Sequence, residues 1–136
     1  MKMNPYLLFN GQCEEAFNAY ARILGGTIEA LMRHREMPGE EHGHAGWVDK
    51  VMHVSMRLGD GVLMGSDAPP GYFQQPQGFS VSLQFADPAE GKKVFDALAE
   101  GGQVKMPFQE TFWAAGYGML VDRFGIPWMV NCGQKG

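Results

Sequence analysis

Four histidines and two cysteines are the most reactive side chains of this 136-residue chain, and their spacing decides what chemistry they can share. His42 and His44, preceded by Glu40 and Glu41, form the one dense set of metal-ligand types. Two residues apart on a strand, both imidazoles would face one side. The run that holds them, EMPGEEHGHAG at 36–46, has three Gly and one Pro, and nothing in it preorganises a ligand set. Because a held metal wants three or four fixed donors, the run reads as a solvated polar loop, with a His42–His44 metal site as the alternative. His53 stands alone in an apolar stretch. It is a candidate general base or hydrogen-bond donor facing a pocket, and equally a part-buried imidazole anchored to a backbone carbonyl. Cys13 lies beside Glu14 and Glu15 with no base in its neighbourhood, which gives no argument for a lowered thiol pKa or a nucleophile. Cys13 and Cys132 read as a reduced thiol pair, not a disulfide framework.

Other classes are bounded by composition. A formal charge of −4 without a clustered Lys/Arg footprint argues against a duplex nucleic-acid binder. No apolar run approaches a membrane span, and MKMNPYLLFNG is too short and unflanked for a secretory signal, so a cytoplasmic protein with no membrane or nucleic-acid partner is expected. Three Trp, nine Phe and ten Met are many for this length. Polarizable Met beside rigid aromatics can line an adaptable apolar cavity or fill an irregular core.

The elements that must position these residues come from an internal repeat. Residues 8–28, LFNGQCEEAFNAYARILGGTI, align with residues 84–104, QFADPAEGKKVFDALAEGGQV, at a shift of 76 that lays Phe9 on Phe85, Glu14 on Glu90 and Gly25-Gly26 on Gly101-Gly102. Gly61-Val62-Leu63-Met64 matches Gly125-Ile126-Pro127-Trp128 at a shift of 64. In the first copy, strands are predicted over 3–9, 27–35, 51–58 and 62–65, and a helix from Cys13 to Leu24 that buries Phe17, Tyr20 and Leu24. Asn10-Gly11 marks a turn, and Gly25-Gly26 ends the helix. SDAPPGYFQQPQG at 66–78, with three Pro and two Gly, is the joint between copies. In the second, strands are predicted over 79–85, 104–112, 117–121 and 126–131. A helix follows the cap Asp87 and Pro88, with the apolar stripe Val94, Phe95, Leu98 and Ala99. Asp122-Arg123-Phe124-Gly125 makes the last turn, where Arg123 reads as solvated or, less readily, as a ligand contact. Neither copy buries much core alone, so 1–136 reads as a single α+β domain: module one about 1–67, a linker at 68–77, module two about 78–136.

Three strings carry a family resemblance over nearly the whole chain outside 36–46 and 68–77: PYLLFNGQCEEAFNAY with LGG at 24–26, VMHVSMRLGDGVLMGSD at 51–67, and GGQVKMPFQETFWAAGYGMLVDRFGIPWMVN at 101–131. Together they resemble the vicinal oxygen chelate superfamily of glyoxalases, extradiol dioxygenases, fosfomycin-modifying enzymes and bleomycin-binding proteins, and within it the PhnB-like branch. The last string is the most specific, a polar strand running into Phe-Trp and then DRFG-x-x-W-M. The resemblance implies two βαβββ modules in a curled mixed or antiparallel sheet forming a cup, completed by a homodimer. Relatives of the branch also carry a ubiquinone methyltransferase-like label, but the chain has no Gly-rich strand-to-helix phosphate turn to go with it.

Enzymes of that superfamily hold a divalent metal by His and Glu from the first and last strand of each module. Carried onto this sequence, those positions fall near Asn4-Pro5 and Met64, and near Phe79-Ser80 and Met129, none of which offers a His, Asp or Glu. Thioethers bind hard cations poorly, so no cofactor is expected, with a divalent metal as the alternative. The resemblance places Trp113, Tyr117 and Trp128 on cup walls; Trp128, amid Ile126, Met129 and Val130, reads as core. Trp113, after Gln109, Glu110 and Thr111, reads as the better pocket wall, with Gln109 and Glu110 orienting a polar ligand group or facing water. His53, Trp113 and Tyr117 are expected to converge. The leading function is metal-independent binding or sequestration of a small molecule. The alternatives are a lyase, isomerase or dioxygenase-like enzyme with a non-standard metal or a His53-based site, and a structural or regulatory dimer without a ligand.

Overall fold

Two copies of one strand-helix-strand-strand-strand motif account for every strand of the computed structural model, which describes residues 1–36 and 47–134. The chain divides into two compact units, module one at Met1–Gln74 and module two at Gln75–Gly136. Module one contains β1 (Tyr6–Phe9), α1 (Cys13–Leu24), β2 (Thr27–Arg33), a 3-10 turn at His34–Glu36, β3 (Val51–Leu58) and β4 (Gly61–Asp67). Module two contains β5 (Val81–Phe85), α2 (Pro88–Ala99), β6 (Gln103–Gln109), β7 (Ala114–Val121) and β8 (Pro127–Gln134). Each module is one four-stranded sheet with one helix, ordered β1-β4-β3-β2 and β5-β8-β7-β6. The sheets are mixed and not antiparallel: β1 runs parallel to β4 and β5 to β8, because the helix crossover brings the chain back in the same direction.

Alternation along the strands decides which face each helix covers. In module one, Leu7, Phe9, Val54, Met56 and Leu63 are buried with Phe17 and Tyr20 of α1, and Phe17 meets Phe9 and Tyr20 edge-on. Leu24, expected in that core, is only half-buried at the end of the helix. In module two, Val94, Phe95 and Leu98 of α2 are buried along with Leu120, Trp128 and Val130. The repeated Gly pair has two separate causes. Gly25 and Gly101 take φ of 72° and 75°, the left-handed conformation that stops a helix. Gly26 and Gly102 are close-packing positions: a Cβ on Gly26 would meet Met56 and Leu58, and one on Gly102 would meet the backbone at Val121 and Asp122.

Some boundaries differ from the sequence expectation, each for a local reason. β2 stops at Arg33, two residues early, because the Glu36 carboxylate accepts from the Arg33 N–H and closes the 3-10 turn. β6 ends at Gln109, because the Thr111 N–H donates to the Ala114 carbonyl and the Ala114 N–H to Thr111 Oγ1. That turn ends β6 three residues short of the expected Phe112 and starts β7 at Ala114. Ala114, Ala115 and Gly116 have little intrinsic strand preference, but Gly116 lies where a Cβ would strike the Phe108 ring. The repeat offset also needs correction. Val54 pairs with Gly65 as Gly118 pairs with Val130, an offset of 64 on the third strand but 65 on the fourth. The hairpin of module two is one residue longer, so Met64 corresponds to Met129.

Candidate functional site

Among the described residues, the face of each sheet away from its helix carries no helix or strand of its own module. In module two, strand alternation places Ser82 and Gln84 of β5, Met129 and Asn131 of β8, and Tyr117, Met119 and Val121 of β7 on that open face. Part of it is a hollow of about 740 Å³. Its floor is apolar: Met119, Val121, Pro127, Met129 and the ring of Phe79. Gln75, Gln77, Ser80, Ser82, Gln103 and Lys105 are its polar members, and the segment 75–80 forms one wall. That wall is tied to the β7–β8 turn by Gln75, whose Nε2 donates to the Gly125 carbonyl at 3.0 Å.

A directed chain of hydrogen bonds crosses the sheet beside this hollow. Asn131 Nδ2 donates to Gln84 Oε1 at 2.8 Å, and Gln84 Nε2 donates to Ser82 Oγ at 3.0 Å. The buried Asn131 Oδ1 has no partner among the described residues. Gln109 and Tyr117 are directly paired across β6 and β7. Tyr117 meets Trp113 edge-on at 5.4 Å, and Trp113 meets Phe112 at 4.8 Å. Phe112 is 86% and Trp113 46% exposed, so this aromatic run is a partly solvated rim beyond the end of β6. Glu110 sits outside the strand, in the segment leading to the turn.

In module one the equivalent face carries His53. It is half-buried on β3, opposite Met32, and its Nδ1 shares a 3.1 Å hydrogen bond with the Tyr6 hydroxyl. The two rings stack with centroids 5.7 Å apart. His53 is therefore partnered by a phenol on its own sheet, not by a backbone carbonyl. By the register offset, His53 and Tyr117 occupy the same position of the two modules. His53 belongs to module one, Trp113 and Tyr117 to module two. His42 and His44 lie outside the described residues.

Sequence reading missed the two residues that organise the ends of these strands. The Asp67 carboxylate, 2% exposed at the end of β4, accepts from the N–H groups of Gly11 and Cys13 at 2.9 Å and of Val51 at 3.0 Å. It supplies the cap that Gln12 does not give α1, whereas α2 is capped locally by Asp87, whose Oδ1 accepts from the Ala89 N–H. Asp122, read as turn chemistry, is a buried hub: it accepts from the Phe124 and Ile126 N–H groups and from Trp128 Nε1 at 2.8 Å. Trp128 is fully buried, as its apolar neighbours implied. Arg123 lies over the Phe124 ring, with 4.5 Å to its centroid. Glu14 and Arg33 form a two-pronged pair at 2.9 and 3.0 Å, and the Arg33 hydrogen bond holds the Glu14 carboxyl below its usual range. Burial pushes the Cys13 thiol far up, reinforced by the charges of Asp67 and Glu14. Burial likewise raises Cys132.

The divalent metal that the family resemblance implies would need donors at the first- and last-strand positions. The first- and last-strand partners that would converge are Tyr6 with Met64 in module one and Ser82 with Met129 in module two. Two thioethers, a phenol and a hydroxyl do not make a donor set for a divalent catalytic cation. Among the described residues no three His, Cys, Asp or Glu side chains come together. No helix among them is long and apolar enough to cross a membrane.

The family described as 3-demethylubiquinone-9 3-methyltransferase matches residues 1–131. The protein YjdN of Escherichia coli (strain K12) is 37% identical over 139 residues, spanning 96% of this chain and 95% of that one. The crystal structure of PA1353 from Pseudomonas aeruginosa is 47% identical with a TM-score of 0.90, covering 99% of each chain. A Bacillus cereus structure named as a 3-demethylubiquinone-9 3-methyltransferase, PhnB protein, superposes with a TM-score of 0.80 at 24% identity over 98% of this chain and 100% of that one. The fold alone extends to the fosfomycin resistance protein FosX of Listeria monocytogenes, with a TM-score of 0.68 at 8% identity over 98% of this chain and 94% of that one.

Proposed function

The chain belongs to the PhnB-like branch of the vicinal oxygen chelate superfamily, the family described as 3-demethylubiquinone-9 3-methyltransferase, and within it we propose a metal-independent protein that binds a small molecule on a Met-lined open sheet face. One observation carries this reading. Part of the open face of module two is a hollow of about 740 Å³ with an apolar floor and a single charged group, a size usual for ligand sites. The two last-strand positions that relatives would give to metal donors are Met64 and Met129, and Met129 is part of that floor. Tyr117 and Gln109 border the same face, with Trp113 and Phe112 as its aromatic rim.

Methyl transfer, named in the family description, draws no support from the fold. The turns into α1 and α2, Asn10-Gly11-Gln12 and Ala86-Asp87, are not Gly-rich phosphate or dinucleotide turns, and each sheet has only one parallel pair. A second reading, acid–base catalysis, is favoured by the Tyr6–His53 pair: a phenol and an imidazole in hydrogen-bond contact on an open face can pass a proton.

Untagged protein, analysed for bound Zn, Ni, Mn and Fe and by native mass spectrometry for co-purifying molecules, tests the proposal. We expect substoichiometric metal and a wild-type metal content in His53→Ala. A stoichiometric metal that disappears in His53→Ala would overturn the metal-independent reading.

A further inference from the structure

The single charge of the module-two hollow narrows what can fill it. Lys105 is its one charged lining residue; no Asp or Glu lines it. Lys105 makes no ion pair among the described residues. It sits between Val104, paired with Leu120, and Met106, paired with Met119, where the register of β6 shifts. A bulge of this kind re-aims a side chain relative to the regular ladder. The hydrogen-bond chain beside the hollow has a direction that ends there too. Asn131 donates to Gln84 and Gln84 donates to Ser82, so the Ser82 oxygen is already an acceptor and its own proton remains to be donated. An ammonium and a hydroxyl donor thus border a floor of Met119, Val121, Pro127 and Met129.

We propose that this hollow takes a small carboxylate with an apolar or aromatic body, the carboxylate held by Lys105 on the β6 edge and the body lying across the Met floor toward Ser82 on the β5 edge. The assignment rests on the small-molecule reading above and adds the charge and shape of the ligand. A neutral molecule of the same shape leaves the Lys105 ammonium unpaired and forgoes the charge-assisted bond. A cation meets Lys105 with no carboxylate to offset it.

Isothermal titration calorimetry with 1-naphthoate and 1-naphthalenemethanol, two compounds with the same rings and different charge, separates these cases. Wild-type protein is expected to bind naphthoate saturably and about tenfold or more tighter than the alcohol, the scale of one charge-assisted hydrogen bond. Lys105→Gln should lower naphthoate affinity by that factor and leave the alcohol unchanged. Lys105 is exposed, so the variant should keep the wild-type melting temperature. Equal affinity for the two compounds, or an unchanged naphthoate affinity in Lys105→Gln, overturns the carboxylate assignment and leaves small-molecule binding standing. Saturable binding of neither compound at millimolar concentration removes both.

Discussion

Replacing Asp67 by Asn tests whether one buried carboxylate holds module one together. In the wild type, Oδ1 accepts from Gly11 and Cys13 and Oδ2 from Val51, so a single side chain ties the α1 entry and the start of β3 to the end of β4. Asn keeps an oxygen for one side only. Its better orientation leaves the carbonyl on Gly11 and Cys13 and turns the amide NH₂ against the Val51 N–H. Two charge-assisted bonds become neutral, at about 1 kcal/mol each, and one buried N–H is orphaned at about 1–3 kcal/mol. Relief of the carboxylate desolvation cost offsets part of this, for a net loss of about 2–4 kcal/mol. Asp67→Ala orphans all three N–H groups and should cost more than Asn. The assay is urea unfolding followed by far-UV circular dichroism, each variant compared with wild type by the shift in midpoint. An Asn variant within about 0.5 kcal/mol of wild type would refute the reasoning, because surface substitutions alone reach that size.

Gly91→Ala should lower the melting temperature even though Ala favours helices by about 1 kcal/mol, because the new Cβ would fall on the buried Sγ of Cys132; adding Cys132→Ala should restore it. A Gly91→Ala variant more stable than wild type would show that α2 has room to move. With both thiols buried and their pKa values raised, native protein should react with no equivalent of Ellman's reagent at pH 8, and guanidinium-unfolded protein with two; fast native labelling would mean that α1 or β8 opens. The Glu14–Arg33 pair lowers the Glu14 pKa, so its contribution is present above the unfolded carboxyl pKa and is lost as pH falls through the lower folded value. Because the Glu14 side chain is about half exposed, solvent screening should keep the contribution within about 1 kcal/mol, read as a shallower acid-side loss of melting temperature in Glu14→Gln. We also expect a homodimer by sedimentation velocity at micromolar concentration, since β2 and β6 are edge strands of their sheets; a monomer there would refute it.

The parts of the fold legible in the sequence were those written in local chemistry. Helical spacing from Cys13 to Leu24, the Asp87-Pro88 start of α2 and the two Gly-Gly stops each act within a few residues, and each fixed its element. Nonlocal bonds were not legible. Asp67 caps a helix that begins 54 residues earlier, and nothing in GSDAPP announces it. The repeat could have given the signal, because the register places Cys132 where module one has Asp67. Module two then needs its own cap, which Asp87 provides, and Cys132 fills the space under Gly91 instead.

The same comparison explains why the candidate site was read unevenly. His53 drew notice because imidazole is a reactive type, yet its register equivalent in module two is Tyr117, and the described hollow lies on the face that Tyr117 shares with Met119 and Met129. Its polar members are Ser, Gln and Lys, types that surface strands carry everywhere, and one wall comes from a Gln/Pro/Gly linker. Only register shows that Ser82, Gln84 and Asn131 share a face, and only bond direction shows that their chain ends in a free donor. In this fold, then, residue type points to module one while the order of donors and acceptors points to module two. On the reading proposed above, a ligand follows the second, because it responds to the hydrogen that is offered and not to how unusual the residue offering it looks.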